Sequence, residues 1–155
     1  MGIKYTTFFC IATSIYYIIV YIIGSKLNSI AVYDYELNTV NVIGTLGFQL
    51  LLSGTSEEIL FRSLPIVLYK KVFNTSKKSD NVLSVVLSSF LFTIAHFNMN
   101  LPISIQWFQL AYAFVFGLAF GFVFIKSKSV IYPMIMHGMS NFISVGYCYL
   151  YMSLV

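Results

Sequence analysis

Charge is what this sequence is shortest of. Asp, Glu, Lys and Arg make up only 9% of its 155 residues, against 59% hydrophobic residues and a mean hydropathy of +0.85. That balance excludes an ordinary soluble domain and points to the membrane class. Cysteine is nearly absent too. Cys10 and Cys148 stand in separate apolar segments with no metal-ligand spacing, so neither a disulfide framework nor a CxxC centre is expected. The formal charge of +4 does not imply nucleic acid, because the lysines flank apolar runs and build no aromatic-studded basic face. Alternating transmembrane strands are missing as well, which leaves helices.

What is there is a series of apolar segments approaching the ~20 residues that cross a bilayer core of ~30 Å. Five emerge, at about 5 to 25, 40 to 72, 82 to 97, 103 to 125 and 130 to 153. The expected fold is an all-α, polytopic transmembrane bundle of about five spanning helices. Residues 1–39 form an N-terminal anchor helix and external loop, and residues 40–155 form the core. The first segment is longer than the ~7 to 15 apolar residues of a signal peptide and reads as a retained anchor. The second is too long for one simple span; SGTS at 53–56 is expected to cap or bend it by accepting from freed N–H groups, and Pro65 to kink it again.

Lysines set the topology. Lys70, Lys71, Lys77 and Lys78 lie between the second and third segments, and Lys126 and Lys128 between the fourth and fifth. With both loops inside, Lys4 is inside too, so the N-terminus is expected in the cytoplasm and the C-terminus outside, with only Lys26 on the wrong side. The loops holding Asp34 and Glu36, and residues 98–102, then lie outside, and the Asn74-Thr75-Ser76 sequon falls in the cytoplasm. Ala113, Gly117 and Gly121, spaced by four, let another helix approach closely, within the monomer rather than across a dimer.

Against this background a few polar residues stand out: Glu57, Glu58, Arg62, His96, His137 and Asn141, with Gln49, Gln106 and Gln109 as milder cases. A charge at the bilayer centre costs ~2.5 to 3.5 kcal/mol on insertion scales, so these groups are expected to face one another. Glu58 and Arg62 are i, i+4 with the acid first, the favoured order for a helical ion pair. Glu57, about 100° further round the helix, faces elsewhere. Phe92 lies one turn before His96 and can buttress its imidazole. His137 and Asn141 are again i, i+4, so an imidazole and an amide can donate to one point, as an oxyanion requires. Counted at ~1.5 Å per residue from the cytoplasmic helix ends, Glu57 and His96 both lie ~21 Å deep, His137 ~10 Å and Asn141 ~16 Å.

In their order, Glu57-Glu58-x-x-x-Arg62, Phe92-x-x-x-His96 and His137-x-x-x-Asn141 resemble the three signatures of the CAAX protease and bacteriocin-processing family of intramembrane proteases, over about residues 50 to 145. The resemblance implies that Glu57 is the general base, that His96 holds the attacking water with it, and that His137 and Asn141 serve the oxyanion. Glu58 and Arg62 become a structural ion pair. The implied activity is hydrolysis of a peptide bond near the membrane, in a peptide or protein tail, without an acyl-enzyme and without a cofactor. Family members commonly carry more helices, so this chain is near the minimal core.

Two rival readings use the same residues. Glu57, His96 and His137 make a carboxylate-and-two-imidazole set for catalytic zinc, although no HExxH helix is present. A non-catalytic membrane protein giving immunity to a bacteriocin also fits, and predicts that Glu57→Gln keeps its protective effect. A transporter is disfavoured, since five helices show no inverted repeat. The chain's own end, YMSLV, lacks the cysteine of a prenylated substrate. The compartment expected is a plasma membrane of bacterial type.

Overall fold

The computed structural model describes residues 2–27, 36–74, 77–98 and 103–154, the side chains of residues 104 and 105 excepted. Asp34, Thr75 and Ser76 of the sequon, and residues 99–102 of the predicted outer loop lie outside the described residues. Among the described residues all regular structure is helical. Helix α1 is Gly2–Lys26, α2 covers residues 39–72, α3 is Lys78–Ala95, α4 is Ile103–Ser127 and α5 is Ile131–Met152. Two of these helices, Gly2–Lys26 and the Gln106–Ser127 part of α4, are long and apolar enough to cross a membrane.

Local chemistry accounts for the helix ends. Asn38 caps α2 by accepting the Asn41 N–H at 2.9 Å, satisfying one of the orphan donors of the first turn. Lys70 and Lys71 close the same helix and Asp80 opens α3, each on the side the helix dipole favours. Lys128, with φ 56, takes the left-handed conformation that ends α4.

The second helix departs from expectation. SGTS stands inside the helix rather than capping an end of it. Helix α2 runs through, with two wide π turns, Gln49–Ser53 and Ile59–Ser63, on either side of the α-helical Gly54–Glu58. Thr55 does not accept from a freed N–H: its Oγ1 donates to Leu51 O at 2.7 Å. Pro65 brings no N–H to the ladder, and Phe61 O, four residues earlier, accepts from Arg62 Nη1 at 3.1 Å and from the Ser88 hydroxyl of α3. A proline that would leave a carbonyl unsatisfied in lipid is thus compensated by side chains. Such π turns often mark functional sites, and Glu57 and Glu58 sit between these two.

The chain forms two compact units. Ser56–Pro133, with the first residues, makes one; Ile3–Thr55 and Met134–Val155 make the other. In the first unit α3 and α4 pack closely because the four-spaced small residues of α4 face α3 within the chain. Ala113 is buried, a Cβ on Gly117 would lie 3.0 Å from Ser89 Cβ, and one on Gly121 would lie 2.7 Å from Val85 Cγ1. In the second unit Tyr21 of α1 stacks on Tyr147 of α5, ring centroids 5.3 Å apart, and Tyr149 Oη donates to Thr45 Oγ1 of α2 at 3.0 Å.

Burial is inverted relative to a soluble protein. On α2 Glu58 and Arg62 are fully buried while Ile59 is 50% and Leu60 53% exposed. On α3 Ser84, Ser88 and Ser89 are inside while Leu87, Phe90, Leu91 and Ile94 face out. Exposed apolar area on this scale is unsupportable in water and natural in lipid.

Candidate active site

The first unit holds Glu57, Glu58, Arg62 and His96. Arg62 Nε lies 3.3 Å from Glu58 Oε2, both side chains fully buried, so the i, i+4 pairing read from the sequence is formed. The guanidinium is held on more than one side. Its Cζ sits 4.2 Å above the Phe92 ring and 5.9 Å from the Phe120 ring, and its Nη1 donates to Phe61 O. A planar, delocalised cation suits this slot of aromatic faces and one carbonyl better than an ammonium does.

Glu57 takes the other direction, as one residue's rotation requires. Its Oε2 lies 3.9 Å from Nε2 of His96, and the two side chains are 30% and 29% exposed. They are the partly accessible members of a group whose ion pair is closed off. The sequence places His96 inside the third helix. It is instead the first residue past its end, with φ −91 and ψ 3, its N–H bonded to Thr93 O at 3.0 Å. Ending the helix there frees the imidazole to turn back over the last turn. The ring packs on Phe92, centroids 4.3 Å apart, and Nδ1 meets Phe92 O at 2.9 Å.

That last contact fixes the tautomer. A carbonyl oxygen only accepts, so Nδ1 carries the proton and donates it, which leaves Nε2 of the neutral ring as an acceptor directed at Glu57. With the ring neutral, two acceptors 3.9 Å apart do not bond to each other, but one water molecule can donate to both. Two hydrogen bonds of ~2.8 Å from a single oxygen across that gap subtend roughly 90°, near the angle between the two O–H bonds of water. Such a water presents a lone pair outward, with a carboxylate positioned to take a proton from it. The Phe92 ring, shared between Arg62 and His96 and edge-on to Phe61 at 5.6 Å, ties this pair to the buried ion pair.

The second unit holds His137 and Asn141 on α5. His137 is nearly closed off at 6% exposure. Asn141 Nδ2 donates to Gln49 Oε1 at 3.0 Å and to Ser53 Oγ at 3.3 Å, both on the first π turn of α2. The two helices are backbone-close here: a Cβ on Gly54 would lie 2.7 Å from the Gly138 N, and one on Gly138 would collide with Leu50 O. The four residues assigned to catalysis thus occur as two local pairs, Glu57 with His96 and His137 one turn from Asn141. Among the described residues no three His, Cys, Asp or Glu side chains form a metal-holding group.

The roles of Gly54, Gly138 and Ser88 are not read from the sequence above. Each had a signal: the glycine of SGTS and the glycine beside His137 allow two backbones to touch, and Ser88 lies four residues before Phe92 on the face toward Phe61 O.

A family model described as type II CAAX prenyl endopeptidase Rce1-like matches residues 39–143, more than half of the chain and all the residues above. No curated protein and no solved structure matches.

Proposed function

The chain belongs to the Rce1-like type II CAAX prenyl endopeptidase family, and on that premise we propose that it is an intramembrane endopeptidase in which Glu57 activates water. Water held by Glu57 and His96 loses a proton to the Glu57 carboxylate as its oxygen attacks the scissile carbonyl carbon. His137 and Asn141 donate to the oxyanion that forms on the carbonyl oxygen. The C–N bond then breaks and the proton on Glu57 passes to the leaving amine nitrogen. Water is the nucleophile throughout, so no side chain is acylated.

One observation carries this reading: the 3.9 Å separation of Glu57 Oε2 and His96 Nε2, with Nδ1 of the same ring committed to Phe92 O. The membrane setting fits the family, which is embedded in lipid, and the apolar exterior of α2 and α3. Substrates of this type are peptides or protein tails lying at the bilayer, with a prenylated CAAX end as the first candidate. The positive-inside rule supports reading the basic loops as cytoplasmic.

The test is mass spectrometry of a peptide library that includes farnesylated CAAX peptides, incubated with the purified protein in detergent. Internal cleavage at a defined bond supports the reading. A library left intact by well-folded protein overturns it.

A further inference from the structure

An amide serves an oxyanion only if it has a proton to give. Asn141 Nδ2 carries two, and both are committed, one to Gln49 Oε1 at 3.0 Å and one to Ser53 Oγ at 3.3 Å. The residue cannot be drawn away bodily, because α5 touches the backbone of α2 at Gly138 and Gly54, where no Cβ fits. For Asn141 to donate to substrate, one of the two hydrogen bonds has to be exchanged while the other keeps the amide in place.

The two partners are not equivalent. The Gln49 bond is the shorter, and it goes to a half-buried side chain at the start of the π turn. Ser53 is a neutral hydroxyl at the longer distance, buried at 7% exposure. A hydroxyl is a weaker acceptor than an oxyanion, whose hydrogen bonds are charge-assisted and about twice as strong. We infer that Gln49 is a positioning residue that anchors the Asn141 amide, and that Ser53 is a placeholder acceptor which the oxyanion displaces. The first π turn then has a purpose: it presents Gln49 and Ser53, one turn apart, to a single amide nitrogen. This inference rests on the hydrolase reading above. Interhelical glue, the structural alternative, predicts effects on folding without effects on turnover.

The experiment measures kcat and KM for an internally quenched farnesylated CAAX peptide with the full chain in detergent, wild type against Gln49→Met, Gln49→Glu and Ser53→Ala, at matched folded fraction. Gln49→Met removes the acceptor at similar length and lowers kcat by at least about tenfold, a part of the ~10²–10³ that loss of an oxyanion donor costs, with KM within about twofold. Gln49→Glu keeps an acceptor at the same reach and recovers most of that loss. Ser53→Ala removes the competing acceptor and raises kcat. Wild-type kcat in Gln49→Met, or a fall in Ser53→Ala as large as that in Gln49→Met, overturns the inference while the hydrolase reading stands. If Gln49→Met does not fold, the Gln49→Glu and Ser53→Ala arms decide alone. A wild type that cleaves neither this peptide nor the library overturns the hydrolase reading, and the inference with it.

Discussion

His96 Nε2 faces Glu57 Oε2 across 3.9 Å, too far for a direct hydrogen bond and the right span for one bridging water. The two residues come from different helices, and each is oriented by its own neighbours. Glu57 is carried between two π turns of α2, and His96 is turned back on Phe92 by the end of α3.

On this account Glu58 and Arg62 serve as architecture, a buried ion pair at 3.3 Å. Removing one partner of a fully buried pair leaves the other charge stranded, at a cost of about 3–5 kcal/mol. Glu58→Gln and Arg62→Ala should each lower the unfolding midpoint and the folded yield. Arg62→Lys should rescue little, since an ammonium cannot lie flat on Phe92 and reach Phe61 O and Glu58 at once. Thermal unfolding in detergent reads this directly, and a fully stable Arg62→Lys variant contradicts it.

Phe92 carries two contacts through one ring, Arg62 at 4.2 Å and His96 at 4.3 Å. Phe92→Leu keeps the carbonyl that accepts from Nδ1 and loses both ring contacts. It should destabilise by about 1–3 kcal/mol through lost packing and cation–π attraction, and lower kcat more than KM rises because the imidazole is less well held. Unfolding curves together with kcat and KM check it; a change in stability with unaltered kcat gives Phe92 a purely structural part.

These two cases show what the sequence makes legible. The Glu58–Arg62 pair and the Phe92–His96 contact are local, set by i, i+4 spacing, and are visible in the bare sequence. The five helices are visible too, because each apolar run carries its own signal, although among the described residues two of them are long and apolar enough by themselves to span. What stays hidden depends on partners far along the chain. Asn141 meets Gln49 from 92 positions away, and Ser88 relieves the carbonyl that Pro65 cannot pair from 27 positions away. The stop at Ala95 is also unmarked: no glycine or proline ends α3, and Thr93 and Ile94 carbonyls close the turn over His96 and Phe97 instead.

The α3–α4 contact is limited by backbone approach. Gly121→Leu puts a branched side chain where even a Cβ comes within 2.7 Å of Val85, and Gly117→Val puts one where a Cβ comes within 3.0 Å of Ser89. Either change should cost at least about 1–3 kcal/mol by overpacking. Gly44, with nothing within 4 Å of an added Cβ, is the control: Gly44→Ala should be neutral or slightly stabilising. Unfolding midpoints of the three variants decide the matter.

A water nucleophile with a carboxylate base leaves no covalent trace and needs no metal. Turnover of the farnesylated peptide should therefore persist after dialysis against 1,10-phenanthroline. Hydroxylamine should give no hydroxamate product. Loss of activity restored by zinc moves Glu57, His96 and His137 to the role of ligands.

The central claim is that Glu57 takes the proton from water while its neighbour Glu58 holds the fold. The most direct measurement is kcat for the farnesylated peptide in wild type and Glu57→Gln, at matched folded fraction and with unfolding midpoints recorded on the same samples. The account predicts a wild-type midpoint for Glu57→Gln and a fall in kcat of about 10²–10⁴-fold, the range for a lost general base. A Glu57→Gln protein that folds and cleaves like wild type contradicts it.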